Sequence, residues 1–107
     1  MTDTVMEELV KTIRSRGAEN AEVSYTRSLL DGGVERCAKK FGEEAVEAVV
    51  AAMGQSDDAV RGEAADVLFH LLVLLESRGV AYSDVLEVLR RRQGTSGHEE
   101  KASRVQK

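Results

Sequence analysis

The segment from Val67 to Leu75, VLFHLLVLL, restricts the fold more than any other stretch, because eight of its nine residues are apolar. It is too short to span a bilayer, which takes roughly 20 apolar residues in a helix. A helix that is apolar on nearly every side must instead be enclosed by protein. We therefore expect a buried helix packed among other helices.

The rest of the chain also favours helices. Its 107 residues include no proline, and no segment alternates between polar and apolar residues as a half-buried strand would. A chain of this length forms one domain with a modest core, and such a core is often enlarged by self-association. The predicted fold is all-α, a small antiparallel bundle of four to five helices that is completed by dimerisation.

Apolar spacing and turn residues divide the first half of the chain. We predict a helix over residues 3–16, a loop over 17–24, and a short helical turn over 25–30. The sequence DGG then predicts a break at residues 31–33, before a long helix over residues 34–53.

The second half begins with a helix start signal, in which Ser56 precedes two aspartates. The helix that follows is predicted to end at Arg78, with Gly79 as its terminator. Ser83 is expected to cap a last helix. Residues 1–93 are assigned to one domain, and the polar, aperiodic residues 94–107 to a mobile tail.

Charge and composition argue against several functions. The net charge is −4, so the chain has no general basic surface for nucleic acid or for an anionic membrane. The single cysteine, Cys37, cannot form an intramolecular disulfide and is expected to be a small core residue. The acidic N-terminal sequence is unlike a signal peptide. We expect a cytoplasmic protein without nucleic-acid or membrane partners.

Three glutamates stand out within the long helix, in the sequence KKFGEEAVEAVVAA. On a helical wheel, Lys40, Glu44 and Glu47 lie together at the margin of the apolar face, and Glu43 lies further toward water. The predicted buried sector comprises Val34, Cys37, Phe41, Ala45, Ala48 and Ala52, and is widened on one side by Val46, Val49 and Met53. A simpler interpretation is a solvated face in which lysines pair with glutamates one turn away.

A second carboxylate pair favours a metal site over that simpler interpretation. Glu63 and Asp66 are one turn apart on the next helix, and the turn near Gly54 should make the two helices antiparallel neighbours. Asp66, at least, is expected to lie against packed helices. Oxygen-only ligation of this kind suits Mg²⁺ or Mn²⁺. His70 is expected to be a core or supporting residue, not a ligand.

The residues from Ser24 to Arg92 resemble a known family. The segments SYTRSLLDGG, AKKFGEEAVEAVVAA, GEAADVLFHLLVLL and GVAYSDVLEVLRRR are similar, in this order, to phosphoribosyl-ATP pyrophosphohydrolases, which belong to the MazG-like all-α nucleotide pyrophosphohydrolases. The resemblance implies a homodimeric enzyme of histidine biosynthesis that hydrolyses phosphoribosyl-ATP to phosphoribosyl-AMP and pyrophosphate.

The resemblance also implies roles for individual residues. Mg²⁺ would be held by four carboxylates, namely Glu44, Glu47, Glu63 and Asp66. Glu43 is the candidate to orient or deprotonate the attacking water. Four further residues are candidates for substrate contacts, namely Lys39, Lys40, Tyr25 and Arg27.

Two alternatives remain open from the sequence. A related enzyme of the same superfamily would act on free nucleoside triphosphates. A noncatalytic helical dimerisation module would use its acidic residues only for solvation.

Overall fold

A computed structural model describes residues 4–15 and 21–94 of the chain, and within them it confirms the all-α prediction. The helices are α1 (Val5–Ser15), α2 (Ala21–Asp31), α3 (Gly33–Gly54), α4 (Asp57–Arg78) and α5 (Tyr82–Arg92). The predicted tail lies outside the described residues apart from Gly94, as do residues 3 and 16, the predicted ends of the first helix. In the described part of the chain, no helix combines the length and apolar character needed to cross a membrane.

The two long helices, α3 and α4, form the main packing interface of the fold. Only Gln55 and Ser56 separate them, so the chain reverses direction and the helices run antiparallel. Ser56 caps α4 as predicted, because its hydroxyl oxygen accepts a hydrogen bond of 3.2 Å from the backbone N–H of Ala59. This short connection places the carboxylates of the two helices on one helical hairpin.

The end of α4 also follows the prediction. Gly79 adopts a left-handed conformation with φ of 70°, which favours glycine because other residues are strained there. The backbone N–H of Val80 then donates a 3.0 Å hydrogen bond to the carbonyl of Leu75. These contacts close the last turn of α4 and direct the chain into α5.

Two predicted boundaries are wrong. The predicted loop over 17–24 is helical from Ala21 onward, where α2 begins. The helix start was missed because its first four residues, AEVS, show no apolar helical spacing; among residues 25–31 the buried ones are Thr26, Leu29 and Leu30. At α5, the N-cap is Ala81, without a side-chain hydrogen bond, and Ser83 lies inside the first turn.

The core lies where α1, α2 and α3 pack around the C-terminal half of α4. Its buried residues are Ile13, Leu29, Leu30, Cys37, Leu72 and Val73. Tyr82, at the start of α5, packs against this cluster. Cys37 is a core residue as predicted, and its thiol lies 3.3 Å from the carbonyl oxygen of Leu29.

The predicted buried face of α3 is displaced on the helix surface. The buried residues are Cys37, Glu44 and Ala51. Five residues predicted to be buried are exposed instead, namely Val34, Val46, Val49, Ala52 and Met53. The wheel placed the centre of the face among the apolar residues, but α2 and α4 cover the sector around Glu44. As a result, Val46, Val49, Val50 and Met53 of α3 are exposed and form what we call the outer apolar face; Leu68 of α4 is also exposed.

Candidate functional site

Three carboxylates from α3 and α4 meet at the interface of these helices. Oxygens of Glu44, Glu63 and Asp66 lie within 4.8 Å of one another, and we call this group the acidic cluster. The one-turn spacing of Glu63 and Asp66 puts both side chains on the face of α4 that packs against α3. The predicted convergence of carboxylates from the two helices is therefore present.

The acidic cluster has the donor chemistry that a divalent cation requires. Glu44 is only 8% exposed. Oxygen Oε2 of Glu63 is buried and has no hydrogen-bond partner within the described residues. A buried, unpartnered carboxylate oxygen is strongly disfavoured unless something compensates its charge. Together with the nearby oxygens of Glu44 and Asp66, this oxygen suits a hard cation such as Mg²⁺.

The burial of Glu63 and Asp66 on α4 differs from the expectation. Asp66, which was expected to lie against packed helices, is exposed, whereas Glu63 is the partly buried member. The side chain of Asp66 is therefore accessible to water. Glu63 lies nearly one turn closer to the hairpin connection and is the more enclosed carboxylate.

Glu47 stands beside the acidic cluster without being part of the three-residue group. The negative charge of Glu44 raises the pKa of Glu47, and desolvation and the charge of Glu63 act in the same direction. Like charges this close favour protonation unless a cation separates them. The pKa of Glu47 is therefore raised by the same negative charge that a bound metal ion would neutralise.

Lys40 partly offsets this charge. Its Nζ lies 3.6 Å from Oε1 of Glu44 and 3.8 Å from Oε1 of Glu43. The pKa of Lys40 is raised, mainly by the Tyr25 hydroxyl and further by the two glutamates. Lys40 thus remains a cation and connects the acidic cluster to the more exposed Glu43.

Tyr25 is linked to α4 through His70. Its hydroxyl oxygen lies 2.8 Å from Nε2 of His70, whose Nδ1 lies 2.7 Å from the backbone carbonyl oxygen of Asp66. The Tyr25 ring also stacks on Phe69, with 6.3 Å between the ring centroids. His70 is buried in these contacts, as expected of a supporting residue.

A cavity of about 360 Å³ opens next to Lys40 and is lined by Tyr25, Leu29, Arg36, Lys39, Lys40 and Glu43. We call it the basic cavity, since three of its six residues are cationic. It contains four of the residues predicted to act in catalysis or substrate binding, Tyr25, Lys39, Lys40 and Glu43. Arg27 is exposed on α2 and does not line it, so its contact with substrate stays a prediction.

Sequence reasoning missed Arg36. It lies one helical turn before Lys40, and this i,i+4 relation was the available signal. The signal was overlooked because the predicted margin of α3 was drawn from Lys40, Glu44 and Glu47 and was not extended one turn back to residue 36.

Comparison with known proteins agrees with this geometry. The profile described as phosphoribosyl-ATP pyrophosphohydrolase matches residues 6–93. A protein of Rhodopseudomonas palustris named phosphoribosyl-ATP pyrophosphatase 1 is 52% identical over 104 residues, which are 97% of each chain. The phosphoribosyl-ATP pyrophosphatase of Azorhizobium caulinodans is 52% identical over 91% of this chain and 89% of its own.

A third relative extends the similarity. The phosphoribosyl-ATP pyrophosphatase of Cereibacter sphaeroides is 48% identical over 101 residues, covering 94% of this chain and 98% of its own. The profile match covers most of the chain and includes every residue of the acidic cluster and the basic cavity. This chain belongs to the phosphoribosyl-ATP pyrophosphohydrolase family.

Proposed function

We propose that this protein hydrolyses phosphoribosyl-ATP to phosphoribosyl-AMP and pyrophosphate, a reaction of histidine biosynthesis, in the cytoplasm. The observation that carries the proposal is the unpartnered Oε2 of Glu63 in an acidic cluster that adjoins a basic cavity. A metal-assisted phosphoanhydride hydrolase needs both features side by side: oxygen ligands for a cation, and positive side chains for phosphate.

The proposed metal ligands are Glu44, Glu47, Glu63 and Asp66, with Mg²⁺ as the cation and Mn²⁺ as a substitute. When bound, the cation would neutralise negative charge on the phosphate oxygens. Glu47 is included because its raised pKa reflects the charge of Glu44 and Glu63, although its oxygens lie outside the three-residue cluster.

The remaining proposed roles belong to side chains around the basic cavity. Lys40, Lys39 and Tyr25 contact the substrate from the cavity wall, and Arg27 from the surface of α2. Glu43 orients a water molecule and accepts its proton as the water oxygen attacks phosphorus. The bond between the α-phosphorus and the bridging oxygen breaks, and pyrophosphate leaves with that oxygen.

We also propose that the enzyme is a homodimer joined through the outer apolar face. Met53 is 83% exposed and Val49 is 62% exposed, and they lie near each other on α3. Contiguous apolar surface of this kind is typical of an interface between protein chains. A second copy would enclose the side of the α3–α4 hairpin that this chain alone leaves open.

Substrate preference is tested by measuring pyrophosphate release from phosphoribosyl-ATP and from a panel of nucleoside triphosphates in the presence of Mg²⁺. We expect phosphoribosyl-ATP to be turned over with the highest kcat/KM. Equal or better turnover of free triphosphates would identify a general triphosphate pyrophosphohydrolase instead. Rescue of a histidine auxotroph that lacks this step tests the role in cells.

The noncatalytic alternative is tested with the double variant Glu44→Gln, Asp66→Asn. A metal site predicts that Mg²⁺ binding, measured by titration calorimetry, is lost together with hydrolysis. The matched control is Glu35→Gln, Asp31→Asn, which removes the same charges from exposed positions outside the acidic cluster. Unchanged Mg²⁺ binding in the first variant would favour a purely solvating role for the carboxylates.

A further inference from the structure

Arg36 extends the positive side of the basic cavity away from the acidic cluster. Arg36, Lys40 and Glu44 follow one another at intervals of four residues on α3 and therefore lie along one side of the helix. At 1.5 Å per residue, Arg36 stands about 12 Å along the helix axis from Glu44. Arg36 and Lys40 both line the cavity, which therefore extends along α3 away from the acidic cluster.

The two ends of the basic cavity differ in charge. Lys40, at the end near the acidic cluster, is paired with Glu43 and Glu44. Arg36 and Lys39 have no carboxylate partner among the described side chains of residues 4–15 and 25–94. The end that lies further from the acidic cluster therefore carries uncompensated positive charge.

The side chain of Arg36 is packed against the backbone of Gly32. A Cβ atom built on Gly32 would overlap Cδ of Arg36 and would lie 2.9 Å from its Cβ. Gly32 has φ of −77°, so its conformation does not require glycine. The absence of a side chain at residue 32 instead leaves room for the Arg36 stem in its observed position.

The substrate offers two separate phosphate groups to such a site. Phosphoribosyl-ATP carries its triphosphate at one end and the 5′-phosphate of its second ribose at the other. The triphosphate belongs near the acidic cluster, where a cation neutralises it. A guanidinium presents paired N–H donors that match a phosphate, and it is always charged.

We propose that Arg36, assisted by Lys39, binds the 5′-phosphate of the second ribose and so selects phosphoribosyl-ATP over ATP. The inference rests on the proposed function, because only that substrate class carries a phosphate at both ends. Tyr25 and Leu29 line the same cavity from α2, and the part of the substrate between the two phosphate groups would lie against them.

The test compares binding of two ligands that differ only in the phosphoribosyl group, phosphoribosyl-AMP and AMP, by titration calorimetry with Mg²⁺ present. In Arg36→Gln, the Kd for phosphoribosyl-AMP should rise roughly ten- to hundredfold, as expected for loss of a charge-assisted hydrogen bond. The Kd for AMP should remain unchanged. Arg61→Gln is the matched control, since Arg61 is an exposed arginine on α4 outside the cavity.

A second variant tests the same inference without removing the charge. Gly32→Ala should displace the Arg36 side chain and weaken phosphoribosyl-AMP binding, again without an effect on AMP. Gly54→Ala is its control, because a Cβ there meets no atom within 4 Å. Circular dichroism and thermal melting of both variants identify any general loss of folding.

The outcomes separate the two proposals. If the unaltered protein fails to release pyrophosphate from phosphoribosyl-ATP, the proposed function is wrong. If it does so, but Arg36→Gln weakens both ligands equally or neither of them, the subsite at Arg36 is wrong and the proposed function stands.

Discussion

The hydroxyl oxygen of Tyr25 lies 2.8 Å from Nε2 of His70, and this contact joins α2 to α4 beside the acidic cluster. A backbone carbonyl can only accept hydrogen bonds, so Nδ1 of His70 must carry the proton that faces Asp66. In the neutral imidazole, Nε2 then accepts the hydrogen bond that Tyr25 donates. His70 thereby fixes one wall of the basic cavity to the helix that holds Glu63 and Asp66.

Tyr25→Phe should lower the free energy of unfolding by about 0.5–1.5 kcal/mol, which is the usual net contribution of one hydrogen bond. In a His70→Leu background, the same change should be nearly neutral because the acceptor is already gone. Urea denaturation of the two single variants and the double variant measures this coupling. Additive effects would contradict a direct bond between the two side chains.

Glu63→Gln should stabilise the protein in the absence of divalent ions, because it removes one negative charge from the acidic cluster. Mg²⁺ should raise the melting temperature of the unaltered protein, by an amount equivalent to about 2.7 kcal/mol at a concentration of 100 Kd. That increase should be absent or much reduced in Glu63→Gln. Thermal melting with Mg²⁺ and with a chelator provides the measurement.

Glu87→Gln is the control for this prediction. Glu87 is exposed on α5 and pairs only with Arg90 in the described part of the chain. It should retain the full effect of Mg²⁺. Equal effects of Mg²⁺ on Glu63→Gln and Glu87→Gln would argue against a metal site at the acidic cluster.

Met53→Asp should shift the proposed dimer to monomer, because it introduces a charge into the outer apolar face. Analytical ultracentrifugation at several concentrations measures the change. Leu89→Asp is the control, since Leu89 is also an exposed apolar residue but lies on α5 and is not part of this face. A dimer that tolerates Met53→Asp as well as Leu89→Asp must be joined elsewhere.

Ser56→Ala should cost about 1 kcal/mol of stability, because it removes the side-chain cap of α4. Ser83→Ala should change stability much less, since the N-cap of α5 is Ala81 and Ser83 lies inside the helix. Urea denaturation of both variants compares them directly. Equal losses would mean that Ser83 has a capping role that its position in α5 does not indicate.

The α3–α4 hairpin was predictable because its signals are local. Ser56 and Gly79 act on the backbone within a few residues of themselves, and the two carboxylate pairs depend only on helical spacing and a short turn. The same kind of signal gave a wrong N-cap for α5. Ser83 is a good capping residue, but it lies one position inside a helix that starts at Tyr82. Capping chemistry identifies a candidate start, but packing of Tyr82 against the core selects the register.

The burial of individual residues was less predictable because it depends on contacts between distant segments. Helical spacing cannot reveal that α2 and α4 cover Glu44 while Val49 and Met53 remain exposed. The contact between Tyr25 and His70, 45 positions apart, has no local signal either. Arg36 is an intermediate case. Its spacing from Lys40 is visible in the sequence, but the cavity that both residues line is not.

The two-residue connection between α3 and α4 also bears on how the protein folds. Glu44, Glu63 and Asp66 come together when a single helical hairpin closes, without waiting for α1 or α5. Closing so short a loop costs little conformational entropy, and contacts between near neighbours in sequence form quickly. Carboxylates that repel one another are thus brought together by a local hairpin, and the divalent cation proposed above would reduce that repulsion in the folding chain as well as in the folded protein.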